Sequence, residues 1–264
     1  MSLHTDHLSL ACRLADVAAS HSMRSFRTAL DVDVKSDASP VTIADRAAEA
    51  AMRALLAVEA PAHGILGEEH GSERLDAEYV WVLDPIDGTK SYITGSPLWG
   101  TLIALTHHGR PVLGLIDMPV LGERWIGGAG VAARRNGEAV RVRHCTQLAQ
   151  ARILTTSPDS FSPPEWQAYD ALSRRCAMRR FGGDCYGYAQ LAGGHVDLVA
   201  ECGLQPYDYM ALVGVVEAAG GVISDWEGRP LSIHSDGRVL AAATAQLHGE
   251  ALQMLRPLPE PQPV

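Results

Sequence analysis

A short acidic segment between two apolar segments constrains this chain more than any other feature. The apolar segment Tyr79–Leu83 has the composition of a buried strand, and the sequence DPIDGT (residues 84–89) follows it directly. The proline fixes φ and lacks an N–H group, so the pattern predicts a turn and not a helix. Such a turn can direct the carboxylates of Asp84 and Asp87 and the carbonyl of Ile86 to one point.

The same residue types also form ordinary surface turns, so the segment by itself has a purely structural interpretation. However, a second apolar segment, Thr101–Leu105, follows and predicts another buried strand. Strands on both sides place the carboxylates at the edge of a core, where their charges need compensation. A bound cation is the compensation that we expect. Gly88 also lets the backbone approach a ligand closely, with N–H groups free to meet an anion.

Composition excludes several classes of protein. The 264 residues carry a net charge of −9, which argues against binding to a nucleic-acid backbone. The five cysteines are odd in number and form no C-x-x-C pair, as is typical of a protein in a reducing compartment. No apolar segment approaches membrane-spanning length, and the N-terminus lacks the core of a signal peptide. We therefore expect a cytoplasmic protein with no nucleic-acid partner and no membrane partner.

Further acids follow or begin predicted elements elsewhere in the chain. Glu68 and Glu69 follow a short predicted strand, and Asp45 lies in the first turn of a predicted helix that Thr42 would cap. Asp208 lies in the first turn of a later predicted helix. Solvation, or the helix dipole, is a complete structural explanation for each of these acids when it is considered alone.

The second half of the chain alternates predicted strands and helices. The pair Gly182-Gly183 precedes a helical segment and offers N–H groups to an anion, although glycine pairs usually only mark turns. Asp184 follows this pair, and Glu201 follows a short apolar strand at residues 196–200. The best internal boundary lies at residues 143–150, and no flexible linker is evident there.

Three motifs resemble those of a known family. The sequence WVLDPIDGT (residues 81–89) resembles the first signature of the inositol monophosphatase family of Mg²⁺-dependent, Li⁺-sensitive phosphatases. The continuation KSYITG (90–95), together with GDCY (183–186) and ECGLQPYD (201–208), is similar to the histidinol-phosphate phosphatase branch. Tyr207 stands where the inositol-type signature has tryptophan.

The resemblance implies a fold and a domain organisation. The expected fold class is α/β (α+β), a layered αβαβα sandwich of the inositol monophosphatase and fructose-1,6-bisphosphatase type. Residues 1–264 would form a single phosphatase domain. Its N-terminal half, about 1–145, would bind the metal, and its C-terminal half, about 146–264, would bind the substrate. The family resemblance also implies a homodimer.

The resemblance further implies a metal site with two or three Mg²⁺ ions. The implied ligands, which are all hard oxygen donors that favour Mg²⁺ over Zn²⁺ or copper, are Glu68, Asp84, the carbonyl of Ile86, Asp87 and Asp208. Two metal ions can ionise a water molecule and neutralise the leaving oxygen, so we expect direct attack by a metal-activated water. An aspartyl-phosphate on Asp84 is disfavoured, because metal ligation would occupy its oxygens. The role of Glu69 stays open.

The remaining site residues follow from the same resemblance. Thr89, with Asp45 behind it, would orient the attacking water and act with Glu68 in catalysis. The N–H groups of Gly88, Thr89 and Lys90 would hold the phosphate oxygens. Lys35 resembles a family lysine near the phosphate, with a solvated lysine as the alternative, and closure of residues 35–39 over the site stays open.

The predicted activity is hydrolysis of a phosphate monoester. Asp184 and Glu201, beside Asp208, suit a cationic alcohol. The resemblance of the motifs to the histidinol-phosphate phosphatase branch implies L-histidinol phosphate as the preferred substrate and histidine biosynthesis as the preferred context. Inositol 1-phosphate is the alternative, because acids also accept hydrogen bonds from hydroxyl groups. A nucleotide-bisphosphate phosphatase would normally need longer insertions. A metal-binding regulatory protein is the alternative outside enzymes, although it has no need of the pair Thr89 and Asp45.

Overall fold

The computed structural model describes residues 3–29, 32–34 and 40–256 of the chain. The segment Lys35–Ser39, with its predicted phosphate-binding lysine, lies outside the described residues, and so does the C-terminal segment 257–264. Within the described residues, no helix combines the length and the apolar character needed to cross a membrane. The compartment and the homodimer stay predictions.

The described part of the chain contains seven α-helices. They are α1 (Leu3–Ser25), α2 (Ile43–Glu59), α3 (Thr89–Ile93), α4 (Pro163–Ser173), α5 (Cys185–Ala192), α6 (Pro206–Ala218) and α7 (Ala245–Leu255). The predicted cap of α2 is confirmed, because Thr42 and Asp45 form a reciprocal capping box. Pro206 begins α6, where the missing N–H group has no cost.

The strands form a short ribbon and two larger sheets. The ribbon pairs β1 (Val32–Val34) with β2 (Pro40–Thr42). The strands of the eight-stranded sheet are β3 (Gly64–Gly67), β4 (Gly71–Glu73), β5 (Tyr79–Asp87), β6 (Gly100–His107), β7 (Arg110–Met118), β8 (Glu123–Gly128), β9 (Val131–Arg135) and β10 (Glu138–Ala139). Those of the five-stranded sheet are β11 (Arg152–Thr155), β12 (Met178–Phe181), β13 (Leu198–Glu201), β14 (Val222–Ser224) and β15 (Val239–Ala242). Their spatial orders are β10-β9-β8-β7-β6-β5-β3-β4 and β12-β11-β13-β15-β14.

The buried side chains arrange these elements in five layers. Along β5, Trp81 and Leu83 pack with α1 and α2, whereas Val82 points to the opposite face and packs with α5 and α6. The five-stranded sheet covers the other side of α5 and α6, and α4 and α7 cover its outer face. The predicted αβαβα sandwich is therefore confirmed.

Helix α6 lies unusually close to the eight-stranded sheet because glycines face one another there. A Cβ atom on Gly114 of β7 would lie 2.0 Å from the carbonyl oxygen of Ala211, and one on Gly214 would lie 2.6 Å from the backbone nitrogen of Gly114. The absence of side chains at these positions lets the two backbones approach. This contact fixes the position of α6, whose first turn carries Asp208.

The eight-stranded sheet ends at Ala139 and the five-stranded sheet begins at Arg152. The predicted internal boundary, at about residues 143–150, falls in the segment between them. Assignment of metal binding to one half and substrate binding to the other stays a prediction.

Candidate active site

The two aspartates of the acidic segment lie on β5, whose pairing with β6 is irregular between them. Asp84 pairs with Leu102 and Asp87 pairs with Gly100, so two residues of β5 oppose the single residue Thr101. In a regular strand, residues three apart point to opposite faces, and one extra residue returns them to the same face. This bulge explains how both carboxylates reach one cavity.

The prediction of a strand followed by a turn is wrong in one respect, because β5 continues through the acidic segment to Asp87. Pro85 lies in the bulge, a position where a strand tolerates the lack of an N–H group. The hydroxyl group of Thr101 donates to the carbonyl of Pro85 at 2.8 Å. This buried hydrogen bond helps to hold the irregular backbone.

Three of the predicted carboxylate ligands meet in space. Oxygen atoms of Asp84, Asp87 and Asp208 all lie within 4.8 Å of one another. The N–H group of Gln205 donates to Oδ2 of Asp208 at 2.7 Å, which orients this carboxylate at the start of α6. Glu68 follows β3, lines the same cavity and repels Asp84. The four predicted acids therefore converge from separate segments of the chain.

The cavity that these acids line has a volume of about 220 Å³. Its described lining residues are Glu68, Asp84, Ile86, Asp87, Gly88, Thr89, Lys90, Thr156, Ser157, Ser160, Asp184 and Asp208. Five of these twelve residues are acidic, and Lys90 is the one basic residue among them. Such an excess of negative charge at a partly buried wall calls for a cation.

The pKa shifts of two carboxyl groups in the cavity also favour a bound cation. Burial raises the pKa of Asp84 well above its usual range, and repulsion by Glu68 and Asp87 raises it further. Burial, followed by repulsion from Asp184, also raises the pKa of Asp87 well above its usual range. The N–H group of Cys185, 2.7 Å from Asp87, opposes this shift. Hard oxygen donors that repel one another suit a small divalent cation.

Of the two predicted water-orienting residues, Thr89 lines this cavity and Asp45 is close enough to Glu68 for that acid to raise its pKa, but the two are not hydrogen-bonded to each other. Oδ2 of Asp45 accepts from the N–H group of Thr42 at 2.9 Å and from its hydroxyl group at 2.5 Å. Oδ1 of Asp45 is buried and has no hydrogen-bond partner. The hydroxyl group of Thr89 donates to the carbonyl of Ile86 at 3.3 Å. The pairing of Thr89 with Asp45 stays a prediction, and the unpartnered Oδ1 is the acceptor that such a pairing would use.

A smaller cavity of about 90 Å³ adjoins the first and shares Asp87, Asp184 and Asp208 with it. Asp184 precedes α5, and its Oδ2 accepts from the hydroxyl group of Ser91 at 2.7 Å. A Cβ atom on Gly88 would lie 2.8 Å from the carboxyl carbon of Asp184, so only glycine fits between them. Asp184 is thus held directly against the acidic segment.

Glu201, the second predicted substrate residue, lines the smaller cavity from the end of β13. Its Oε1 accepts from the N–H group of Thr156 at 2.9 Å, and its Oε2 accepts from the hydroxyl group of Tyr188 at 3.0 Å. Burial raises the pKa of Glu201, and these hydrogen bonds oppose the shift. The carboxylate is therefore fixed in place before any ligand arrives.

A buried acid on α2, which the sequence patterns did not indicate, supports this site. Glu49 is fully buried, and its carboxylate accepts from the N–H groups of Glu69 at 2.6 Å and His70 at 3.2 Å. Arg53 pairs with it at 2.7 Å. The one available signal was the Glu-to-Arg spacing of four residues, which is also common on exposed helices. Glu49 fastens the loop that carries Glu68.

Comparisons with known proteins place the chain among phosphatases. The profile of the inositol monophosphatase family matches residues 4–260. The chloroplastic bifunctional phosphatase IMPL2 of Arabidopsis thaliana is 47% identical over 251 residues, which cover 92% of this chain and 72% of that protein. The histidinol-phosphatase of Streptomyces coelicolor is 36% identical over 263 residues, which cover 96% of this chain and 97% of that protein. A solved structure of an inositol monophosphatase from Zymomonas mobilis has a TM-score of 0.89 and 47% identity, and the match covers 97% of this chain and 99% of that one.

The sandwich fold, the converging carboxylates and these matches define a phosphoric monoester hydrolase. The family profile covers nearly the whole length of the chain. The chain belongs to the inositol monophosphatase family.

Proposed function

We propose that the chain hydrolyses L-histidinol phosphate to L-histidinol and phosphate with the help of Mg²⁺, as a step of histidine biosynthesis. The observation that carries this proposal is the convergence of Asp84, Asp87 and Asp208 within 4.8 Å, next to a second cavity walled by Asp184 and Glu201. The first group suits a divalent cation. The second group suits the positively charged part of a substrate.

The acids and one carbonyl group would hold two or three Mg²⁺ ions. These ligands, all of them oxygen donors, are Glu68, Asp84, Ile86, Asp87 and Asp208. When bound, Mg²⁺ supplies a Lewis acid that polarises the phosphoryl oxygens and activates water. The excess of acidic side chains and the raised pKa values of Asp84 and Asp87 support this assignment.

The residues of the chain itself supply positioning. The N–H groups of Gly88, Thr89 and Lys90 would donate to the phosphate oxygens, and the ammonium group of Lys90 adds positive charge on the same wall. The hydroxyl group of Thr89, turned from Ile86 toward Asp45, would orient the attacking water. Hydrolysis of a phosphate monoester is very slow without catalysis, so orientation and charge stabilisation must supply most of the acceleration.

Two findings bear on the choice of substrate. Proteins named histidinol-phosphatase from three bacteria are 34–36% identical and cover 90–96% of this chain, which supports histidinol phosphate. Asp184 and Glu201 also complement a protonated amine or imidazole. The 47% identity to the inositol monophosphatase of Zymomonas mobilis favours inositol 1-phosphate as the second candidate.

The proposal is tested by measuring phosphate release from L-histidinol phosphate and from inositol 1-phosphate side by side, with and without Mg²⁺. We expect Mg²⁺-dependent release, inhibition by Li⁺, and a strong preference for histidinol phosphate. A preference for inositol 1-phosphate would retain the metal site and remove the proposed role of Asp184 and Glu201. No Mg²⁺-dependent release from either substrate would overturn the proposed activity.

Glu201→Gln should lower kcat/KM for one of the two candidate substrates much more than for the other. The variant keeps the shape of the side chain and an acceptor oxygen, but it removes the charge that would meet the cation of histidinol. We expect kcat/KM for histidinol phosphate to fall about 100-fold, as for loss of one charged hydrogen bond, with a much smaller change for inositol 1-phosphate. Glu138→Gln, which removes an exposed acid on β10, is the control. Equal losses on both substrates would contradict a role in recognising the cation.

Glu49→Gln should raise the Mg²⁺ requirement of the enzyme. The substitution removes the buried charge that holds the loop after β3, so Glu68 should be less well positioned for the metal. We expect the Mg²⁺ concentration for half-maximal activity to rise by about 10-fold to 100-fold, with kcat at saturating Mg²⁺ changed much less. Glu59→Gln on the same helix is the matched control, because Glu59 also pairs with an arginine, Arg13, but is exposed. An unchanged Mg²⁺ titration in stably folded Glu49→Gln would show that the anchor is not needed.

A further inference from the structure

A second group of metal-ligating side chains lies at the opposite end of β5 and β6 from the acidic cavity. Carboxylate and imidazole atoms of Glu78, His107 and His108 all lie within 4.8 Å of one another. Glu78 precedes β5 and is six residues away from Asp84, which corresponds to about 20 Å along an extended strand. The group is therefore separate from the candidate active site.

The backbone brings the two histidine rings together. Neighbouring residues of a regular strand point to opposite faces, which would separate His107 from His108. His107 ends β6, and the turn that follows has positive φ values at His108 (48°) and Gly109 (75°). This left-handed turn, at a position where asparagine or glycine is usual, places the ring centroids 4.4 Å apart.

Contacts with the neighbouring strand hold the group in register. The ring of His107 stacks on Tyr79 at 4.7 Å between centroids, and its Nε2 atom lies 3.0 Å from Oε1 of Glu78. The N–H group of His108 donates to the carbonyl of Glu78 at 2.9 Å. The contact between Glu78 and His107 involves two of the three side chains, and the ring of His108, 4.4 Å from that of His107, brings a second imidazole to the same carboxylate.

We propose that Glu78, His107 and His108 bind one first-row transition-metal ion, with Zn²⁺ as the test ion. Two imidazoles and one carboxylate form a ligand set typical of Zn²⁺, and a water molecule completes a four-coordinate site. Imidazole ligands favour Zn²⁺, Ni²⁺ and Cu²⁺ over Mg²⁺, so this site differs in chemistry from the carboxylate cluster. Glu78 and His108 are exposed, so the ion has direct access from solvent.

The test is calorimetric titration of the tag-free full chain with Zn²⁺ in excess Mg²⁺. His108→Asn is the informative variant, because asparagine suits the left-handed turn while the imidazole ligand is lost. We expect one Zn²⁺-binding event to weaken at least 10-fold in His108→Asn and in His107→Ala, with thermal unfolding monitored in parallel. His144→Ala, which removes an exposed histidine elsewhere, should retain wild-type binding.

Two results would overturn the site. Wild-type Zn²⁺ stoichiometry and affinity in His108→Asn would show that this ring is not a ligand. His63 stacks on Tyr79 at 5.2 Å and offers a different imidazole nearby. Loss of the binding event in His63→Ala, with retention in His107→Ala, would move the ion to the other side of Tyr79 and contradict the proposed ligands. Because phosphate release with Mg²⁺ is measured separately, failure of the Zn²⁺ site leaves the proposed hydrolase activity untouched.

Discussion

Asp84→Asn should reduce Mg²⁺-dependent phosphate release at least about 1,000-fold, which corresponds to about 4 kcal/mol of transition-state stabilisation. Asp84 lies at the centre of the carboxylate cluster, within reach of Asp87 and Asp208 and beside Glu68. In the wild-type protein the N–H group of Ile86 donates a hydrogen bond to Oδ1 of Asp84 at 3.0 Å. Asparagine has nearly the same shape and can still accept this hydrogen bond. The change therefore removes a charge and a proposed metal ligand without removing a packing contact.

For the same variant we expect no loss of stability in the metal-free protein, in contrast to the large loss of activity. Asp84 is a buried carboxylate that Glu68 and Asp87 repel, so a neutral side chain should leave the melting temperature unchanged or raise it. Mg²⁺ should raise the melting temperature of the wild-type protein and have much less effect on the variant.

Asp76→Asn, at an exposed position before β5, is the control for both measurements. Activity of Asp84→Asn within tenfold of the wild type would contradict the metal site. A large loss of stability in the metal-free variant would show that Asp84 serves the fold instead.

Local patterns were sufficient to predict much of the fold. The apolar segments that form β5 and β6, the capping box at Thr42 and the start of the helix whose first turn holds Asp208 each depend on residues that are close in sequence. The Asn136-Gly137 pair, which joins β9 and β10, is likewise typical of a two-residue hairpin turn. These elements were predictable because their stabilising interactions lie within a few residues.

The bulge in β5 could not be predicted in the same way. It is defined by what stands opposite on β6, where the single residue Thr101 faces Pro85 and Ile86. The proline signals an interruption, but it does not distinguish a turn from a strand that accommodates one extra residue. Yet this distinction decides whether Asp84 and Asp87 share a face, so the geometry of the site depends on a long-range pairing.

Buried polar contacts between distant segments could not be predicted from the sequence either. Glu49 supports the loop of Glu68 from another element, and Tyr188 supports Glu201 from a neighbouring helix. An acid on a helix and a tyrosine in an apolar segment have ordinary structural roles in any globular protein. Only the fold shows which carbonyl, hydroxyl or N–H group each of them meets.

Thr89→Ala should lower kcat by about 100-fold to 1,000-fold while the Mg²⁺ requirement changes little. A side chain that orients the attacking water contributes to the transition state, and loss of such a group typically costs this much. Thr89→Ser, which keeps the hydroxyl group, should recover most of the activity. A similar loss in Thr89→Ser would indicate that the methyl group and packing matter, and would contradict the water-orienting role.

Asp45 caps α2 and is also proposed to act through Thr89, and a double-mutant cycle can separate the two roles. Its Oδ2 caps α2 through Thr42, whereas the buried Oδ1 has no partner and is the atom proposed to meet Thr89. If Asp45 acts through Thr89, Asp45→Asn should lower kcat strongly in the wild type and add little in Thr89→Ala. Thr42→Ala is the matched control, because it should cost about 1 kcal/mol of stability by weakening the cap while kcat is retained. Additive losses in the cycle would show that Asp45 does not act through Thr89, and the buried Oδ1 would then need another partner.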